Sequence, residues 1–137
     1  DIVNAPLYPF GYGLSYTRFE YGTPVLSDTL MRSGDTLRVT LKVKNTGLYD
    51  GDEIVQLYIR DLAGSVTRPV KELKGFEKIF LKKGESREVS FDITSETLQF
   101  VGADMKYIVE PGRFSVFTGT NSADLKETGF CLEMNEQ

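Results

Sequence analysis

Thr36-Leu37-Arg38-Val39-Thr40-Leu41-Lys42-Val43-Lys44 alternates without interruption between apolar and polar residues. Successive strand side chains point to opposite faces, so a period of two with one apolar face predicts a half-buried antiparallel strand. The residues that follow supply the turns. Asn45-Thr46-Gly47 and Asp50-Gly51-Asp52 are rich in types that accept turn conformations. Glu53 to Arg60 then reads as the next strand, with Val55, Leu57 and Ile59 on one face. Ile54 and Tyr58 on its other face predict a central strand covered on both sides.

Working outward, the same grammar recurs. Phe19 to Ser27 reads as the first strand. Leu62 to Pro69 is a loop, Glu72 to Leu81 a strand, and Lys82-Lys83-Gly84-Glu85 a turn. Glu88 to Thr94 follows with Val89, Phe91 and Ile93 inward. Leu98 to Val101 and Lys106 to Val109 bracket a hairpin signal at Gly102-Ala103-Asp104. Arg113 to Thr118 and Glu127 to Glu133 close the set. Roughly seven to nine short strands at this spacing, with no sustained helical period, predict an all-β antiparallel two-sheet sandwich.

Composition narrows the function. The 137 residues suit one domain. A net charge of -4 and a pI near 4.9 argue against nucleic acid and against anionic membrane surfaces as partners. No apolar run approaches the ~20 residues that span a bilayer. Asp1-Ile2-Val3-Asn4 is neither basic nor followed by an apolar core, so a signal peptide is not expected at this point. The single cysteine, Cys131, forbids an intramolecular disulfide and is expected to be a buried, inert thiol. Trp is absent, which removes the buried Trp of immunoglobulin domains.

The chemical inventory is sparse. Without His, the commonest general base and zinc ligand are missing. Asp50, Asp52 and Glu53 cluster at one turn, too close in sequence to flank a sugar from opposite sides. A calcium site there is weighed against plain turn residues, and the turn is favoured. Gly11-Tyr12-Gly13-Leu14-Ser15-Tyr16 lacks the third glycine and the strand-then-helix setting of a dinucleotide site. No catalytic, cofactor-binding or metal-binding residue is therefore assigned. Lys71, Lys74, Lys78, Lys82, Lys83 and Arg87 make a basic stretch, read as solvated charges that deter edge pairing. Tyr49 and Tyr58 are expected as surface rings and Tyr107 as packed, with no flat platform for sugars evident in their spacing.

The least regular stretch is Leu7 to Tyr21, LYPFGYGLSYTRFEY. Its six aromatics fit neither strand nor helix period, and Pro9, Gly11 and Gly13 punctuate it as loop. So apolar a loop is expected to meet another surface. Residues 1–18 are accordingly read as a linker and docking segment continuing from an upstream domain, and 19–137 as the sandwich. Tyr8, Phe10, Tyr12 and Tyr16 are the candidate docking residues, joined by Arg68, which lies on a loop.

Three stretches carry a family resemblance. Leu7 to Thr17, Ser65-Val66-Thr67-Arg68-Pro69-Val70-Lys71-Glu72-Leu73-Lys74-Gly75-Phe76-Glu77-Lys78, and Val109-Glu110-Pro111-Gly112-Arg113-Phe114 with Gly119 to Asp124 resemble the C-terminal fibronectin type III-like domain of glycoside hydrolase family 3 enzymes. Many members have His where this chain has Tyr12, so no role of that His carries over. The resemblance implies the fibronectin type III topology and a parent β-glucosidase-type enzyme performing retaining hydrolysis. In such parents a barrel domain carries the Asp nucleophile and an α/β domain the acid/base carboxylate, so the catalytic domains would be this module's partners within one polypeptide. A periplasmic or secreted parent is implied. The expected role is structural: packing against the catalytic part, stabilising it and shaping the substrate entrance. The alternatives are a carbohydrate-contacting module that anchors the enzyme to polysaccharide, and a free-standing adhesion-type sandwich.

Overall fold

The computed structural model describes residues 17–62, 71–101, 107–120 and 125–133. These form strands β1 (Phe19–Tyr21), β2 (Val25–Leu26), β3 (Leu30–Arg32), β4 (Leu37–Asn45), β5 (Gly51–Asp61), β6 (Lys71–Leu81), β7 (Ser86–Ile93), β8 (Phe100–Val101), β9 (Tyr107–Ile108), β10 (Gly112–Gly119) and β11 (Leu125–Glu133). In one sheet β4 pairs antiparallel with β1 and β2 on one side and β7 on the other. The second sheet has the order β3-β11-β10-β5-β6. Strands β8 and β9 make a separate antiparallel pair. The expected sandwich is the observed architecture.

The alternation that predicts β4 is the alternation that builds the core. Leu37, Val39, Leu41 and Val43 are all buried, and Arg38, Lys42 and Lys44 are exposed. On β5, Val55, Leu57 and Ile59 face them. The core divides into two clusters. One gathers Met31, Leu37, Ile59, Phe114, Phe130, Leu132 and their neighbours, with the Phe114 and Phe130 rings stacked at 5.4 Å. The other consists of Leu41, Val43, Val55, Ile79, Leu81 and Val89. Phe91 packs against both.

Three details differ from the sequence expectation. The first strand is interrupted at Gly22-Thr23-Pro24, where Pro24 has no N–H to donate to a ladder. The chain then crosses between sheets through an Asx turn, in which Thr29 and Leu30 donate their N–H groups to Asp28 Oδ1 at 2.7 and 3.2 Å. The short β3 that follows pairs parallel to β11, so the sandwich is not wholly antiparallel. Second, β5 is central in its sheet, but Ile54 is exposed and Tyr58 only half-buried. Among the described residues no second layer covers that face. Third, Cys131 is half-buried, with Arg113 Nη1 3.9 Å from its sulfur.

Candidate domain-docking site

Tyr8, Phe10, Tyr12, Tyr16 and Arg68 lie outside the described residues. Thr17, the first described residue after the four aromatics, is closely held. Thr17 Oγ1 donates to Asn45 Oδ1 at 2.8 Å. Asn45 is fully buried at the end of β4. Its Oδ1 also accepts the Gly47 N–H at 3.0 Å, and its Nδ2 donates to the Tyr49 and Leu81 carbonyls at 2.8 and 3.1 Å. The main chain of Asn45 receives Gly84 N–H and donates to the Glu85 carbonyl. A buried amide is stable only when so satisfied, and this one ties its own turn to two segments distant in sequence, Thr17 and Leu81 to Glu85.

The neighbouring backbone is equally constrained. Thr46 and Gly47 donate to the Arg18 carbonyl at 2.8 and 3.2 Å. A Cβ on Gly47 would collide with Thr17 Oγ1 and the Arg18 backbone nitrogen, so only glycine permits this approach. Around this clamp lie Arg18, Leu48 and Tyr49, lining an open cleft of about 350 Å³ with Thr17, Thr46 and Gly47. Leu48 is 72% exposed and Tyr49 57%. Sequence reading identified Tyr49 as a surface ring but missed Leu48 and Asn45, which are turn-type and strand-end positions without a periodic signature.

The acidic cluster at the start of β5 is dispersed by the fold. Asp50 Oδ1 accepts the Lys83 N–H at 2.7 Å. Asp52 and Glu53 are adjacent strand residues and so face opposite sides. Glu53 turns inward, where its carboxylate accepts from Tyr21 at 2.7 Å and Thr120 at 3.4 Å. Burial raises its pKa above the ordinary 4.5, an effect the bonds from Tyr21, Thr120 and the Ile54 backbone partly oppose. Among the described residues no group of three or more His, Cys, Asp or Glu could hold a metal ion.

The basic stretch also divides. Lys78, Lys82, Lys83 and Arg87 are exposed, as expected of solvated charges. Lys74 instead donates to the Gln99 carbonyl at 2.8 Å and pairs with Glu72 at 3.3 Å. Lys71 and Arg60 lie over the Phe117 ring at 5.1 and 5.6 Å.

Residues 53–122, from within β5 to just beyond β10, match the family model of the fibronectin type III-like domain. The chain belongs to that family. The fibronectin type III-like chain is 48% identical over 132 residues to a periplasmic β-glucosidase of Salmonella typhimurium, covering 96% of this chain and 17% of that protein. It is 49% identical over 130 residues to a β-xylosidase of Formosa agariphila, covering 93% of this chain and 18% of that one. A solved β-glucosidase from Erythrobacter marinus superposes with a TM-score of 0.80 at 45% identity, over 94% of this chain and 17% of that chain. The fibronectin type III-like chain thus spans about a sixth of the length of the relatives it matches. It is the fibronectin type III-like domain found in β-glucosidase-type enzymes.

Proposed function

We propose that the chain is a non-catalytic module of a β-glucosidase-type glycoside hydrolase, which packs against the catalytic domains of the same polypeptide, stabilises them and shapes the rim of the substrate entrance. The observation that carries this reading is the Asn45 clamp beside exposed Leu48 and Tyr49. A buried hydrogen-bonded hub fixes where the aromatic leading segment leaves the sandwich, and two large apolar side chains stand exposed next to that point. Exposed apolar groups held rigidly are the usual makings of an interface core. Tyr8, Phe10, Tyr12, Tyr16 and Arg68 are assigned to the same junction, with the aromatics filling a groove between domains. By its resemblance to family 3 glycoside hydrolases, the parent acts on β-linked sugars by retaining hydrolysis, and a periplasmic or secreted location follows from the same resemblance.

The test compares two contexts. Phe10→Ala and Tyr12→Ala should each lower the stability of the full polypeptide by ~2–4 kcal/mol, the usual cost of truncating a well-buried interface aromatic. The same changes should leave the 137-residue chain nearly unaffected. Equal losses in both contexts would mean that the segment packs on its own sandwich, and the docking reading would fail.

A further inference from the structure

The outer face of β5 and β6 carries a second feature. Cross-strand pairing puts Asp52 opposite Phe80, Ile54 opposite Lys78, Gln56 opposite Phe76 and Tyr58 opposite Leu73. The inward positions Val55, Leu57, Ile79 and Leu81 are the buried ones, so these pairs share the outward face. Four of their members are large, apolar and solvent-facing: Ile54 at 46%, Leu73 at 49%, Phe76 at 67% and Phe80 at 48% exposure. Single exposed apolar residues are commonplace, but four on one face of two adjacent strands form a stripe.

Charge selects the occupant. The chain as a whole is at -4, yet among the described residues this face of β5 and β6 carries Lys78 between Phe76 and Phe80, with Arg60 and Lys71 at its far end, against Asp52, and the nearest further acid on the same sheet face is Glu127 on β11. A two-fold pairing with a second copy would bring one basic face against another. The partner that fits is a polypeptide surface with apolar pockets and an acidic rim. Position narrows it further. The Asp52–Phe80 pair sits next to the Gly51–Leu81 pair, and Thr17 lies against Gly51. The stripe therefore runs on from the end where the leading segment departs, and one surface can cover both.

We propose that the outer face of β5 and β6, centred on Phe76 and Phe80, is a second part of the docking interface and seats an apolar, acidic-rimmed surface of a catalytic domain in the same polypeptide. This rests on the docking reading above and adds to it a face and a charge. Because Phe76 projects away from the core, replacing it leaves the sandwich intact.

Hydroxyl-radical footprinting of the full polypeptide, beside the 137-residue chain, separates the outcomes. Phe76 and Phe80 should be modified readily in the chain and lose that labelling in the full polypeptide. Phe76→Asp or Lys78→Glu in the full polypeptide should restore labelling at Phe80 with an unchanged circular dichroism spectrum. Full labelling of both rings in the polypeptide, with Leu48 and Tyr49 protected, would overturn this proposal and leave the docking reading standing. Labelling of all four would overturn both. Two further results would overturn it by naming another occupant. One is sedimentation of the chain as a dimer that Phe76→Asp dissociates. The other is protection of Phe76 that appears only when laminari- or cello-oligosaccharide is added.

Discussion

The two ends of the sandwich are closed in different ways. At the end that holds Met31, Leu37, Ile93, Phe114 and Phe130, closure rests mainly on apolar packing around two stacked rings, with the fully buried Asp61 opposite Phe114. At the other, six aliphatic side chains are capped by Asn45, whose hydrogen bonds reach Thr17, Gly47, Tyr49 and Leu81. Apolar packing is non-directional and tolerates small shifts, whereas a satisfied buried amide fixes its partners to within a few tenths of an ångström. The rigid closure is found where the chain is joined by its leading segment. In the proposed docking, position at that end is held for a neighbouring domain.

The contrast can be broken from either side. Phe114→Ala at the apolar end should show the largest effect, about 3–5 kcal/mol by urea unfolding of the chain, because it removes a fully buried ring and its stacked contact. Its loss should be global, with every strand exchanging amide hydrogens faster. Asn45→Ala should cost somewhat less, about 2–3 kcal/mol, since it leaves the Leu81 and Tyr49 carbonyls and the Thr17 hydroxyl without this partner. Its signature should be local. Amide exchange at Gly47 and at Thr46 should accelerate ahead of the strands if the amide is a clamp. Uniform acceleration would make Asn45 an ordinary core residue.

Glu53→Gln sharpens the same end and is a smaller effect. Glu53 joins β1 to β5 across the two sheets through Tyr21. Its pKa is raised in the fold, so folding favours the protonated form. Its contribution to stability is therefore fully present below the unfolded value near 4.5 and is lost as the pH rises through the raised value. Denaturation midpoints of wild type and Glu53→Gln should differ least at acid pH, with the variant gaining on the wild type towards neutrality. A difference independent of pH would mean that the carboxylate is solvated and the contact with Tyr21 incidental.

Much of the fold was legible because alternation is a strong code where one face is buried. The Leu37 to Val43 face and the Val55 to Ile59 face follow from the residues alone. Alternation fails in three places, each for a physical reason. Strand β3 has only three residues, too few to show a period, and its place is set by the Asx turn at Asp28. On β6 the register shifts opposite Leu57 and Tyr58, so the face that carries Phe76 and Phe80 does not run evenly through to Leu73. The outward apolar residues of β5 and β6 look in sequence like a strand covered on both sides, because periodicity cannot distinguish a face buried within the domain from one reserved for a neighbour. The proposed docking segment stands out in composition, in the aromatics before Thr17, and the hydrogen-bonded hub that follows it does not. Asn45 reads as a turn residue, and its role as a hub depends on Thr17 and Leu81, distant in sequence.

The most direct test of the docking account replaces Leu48 and Tyr49 together by serine in the chain and in the full polypeptide. Both side chains are exposed on the sandwich. In the 137-residue chain the double substitution should change stability by less than about 0.5 kcal/mol, as surface changes usually do. In the full polypeptide it should cost about 2 kcal/mol or more, as for hot-spot side chains in an interface core. An unchanged full polypeptide would contradict the account, because the end held by Asn45 would then face solvent and not a neighbouring domain.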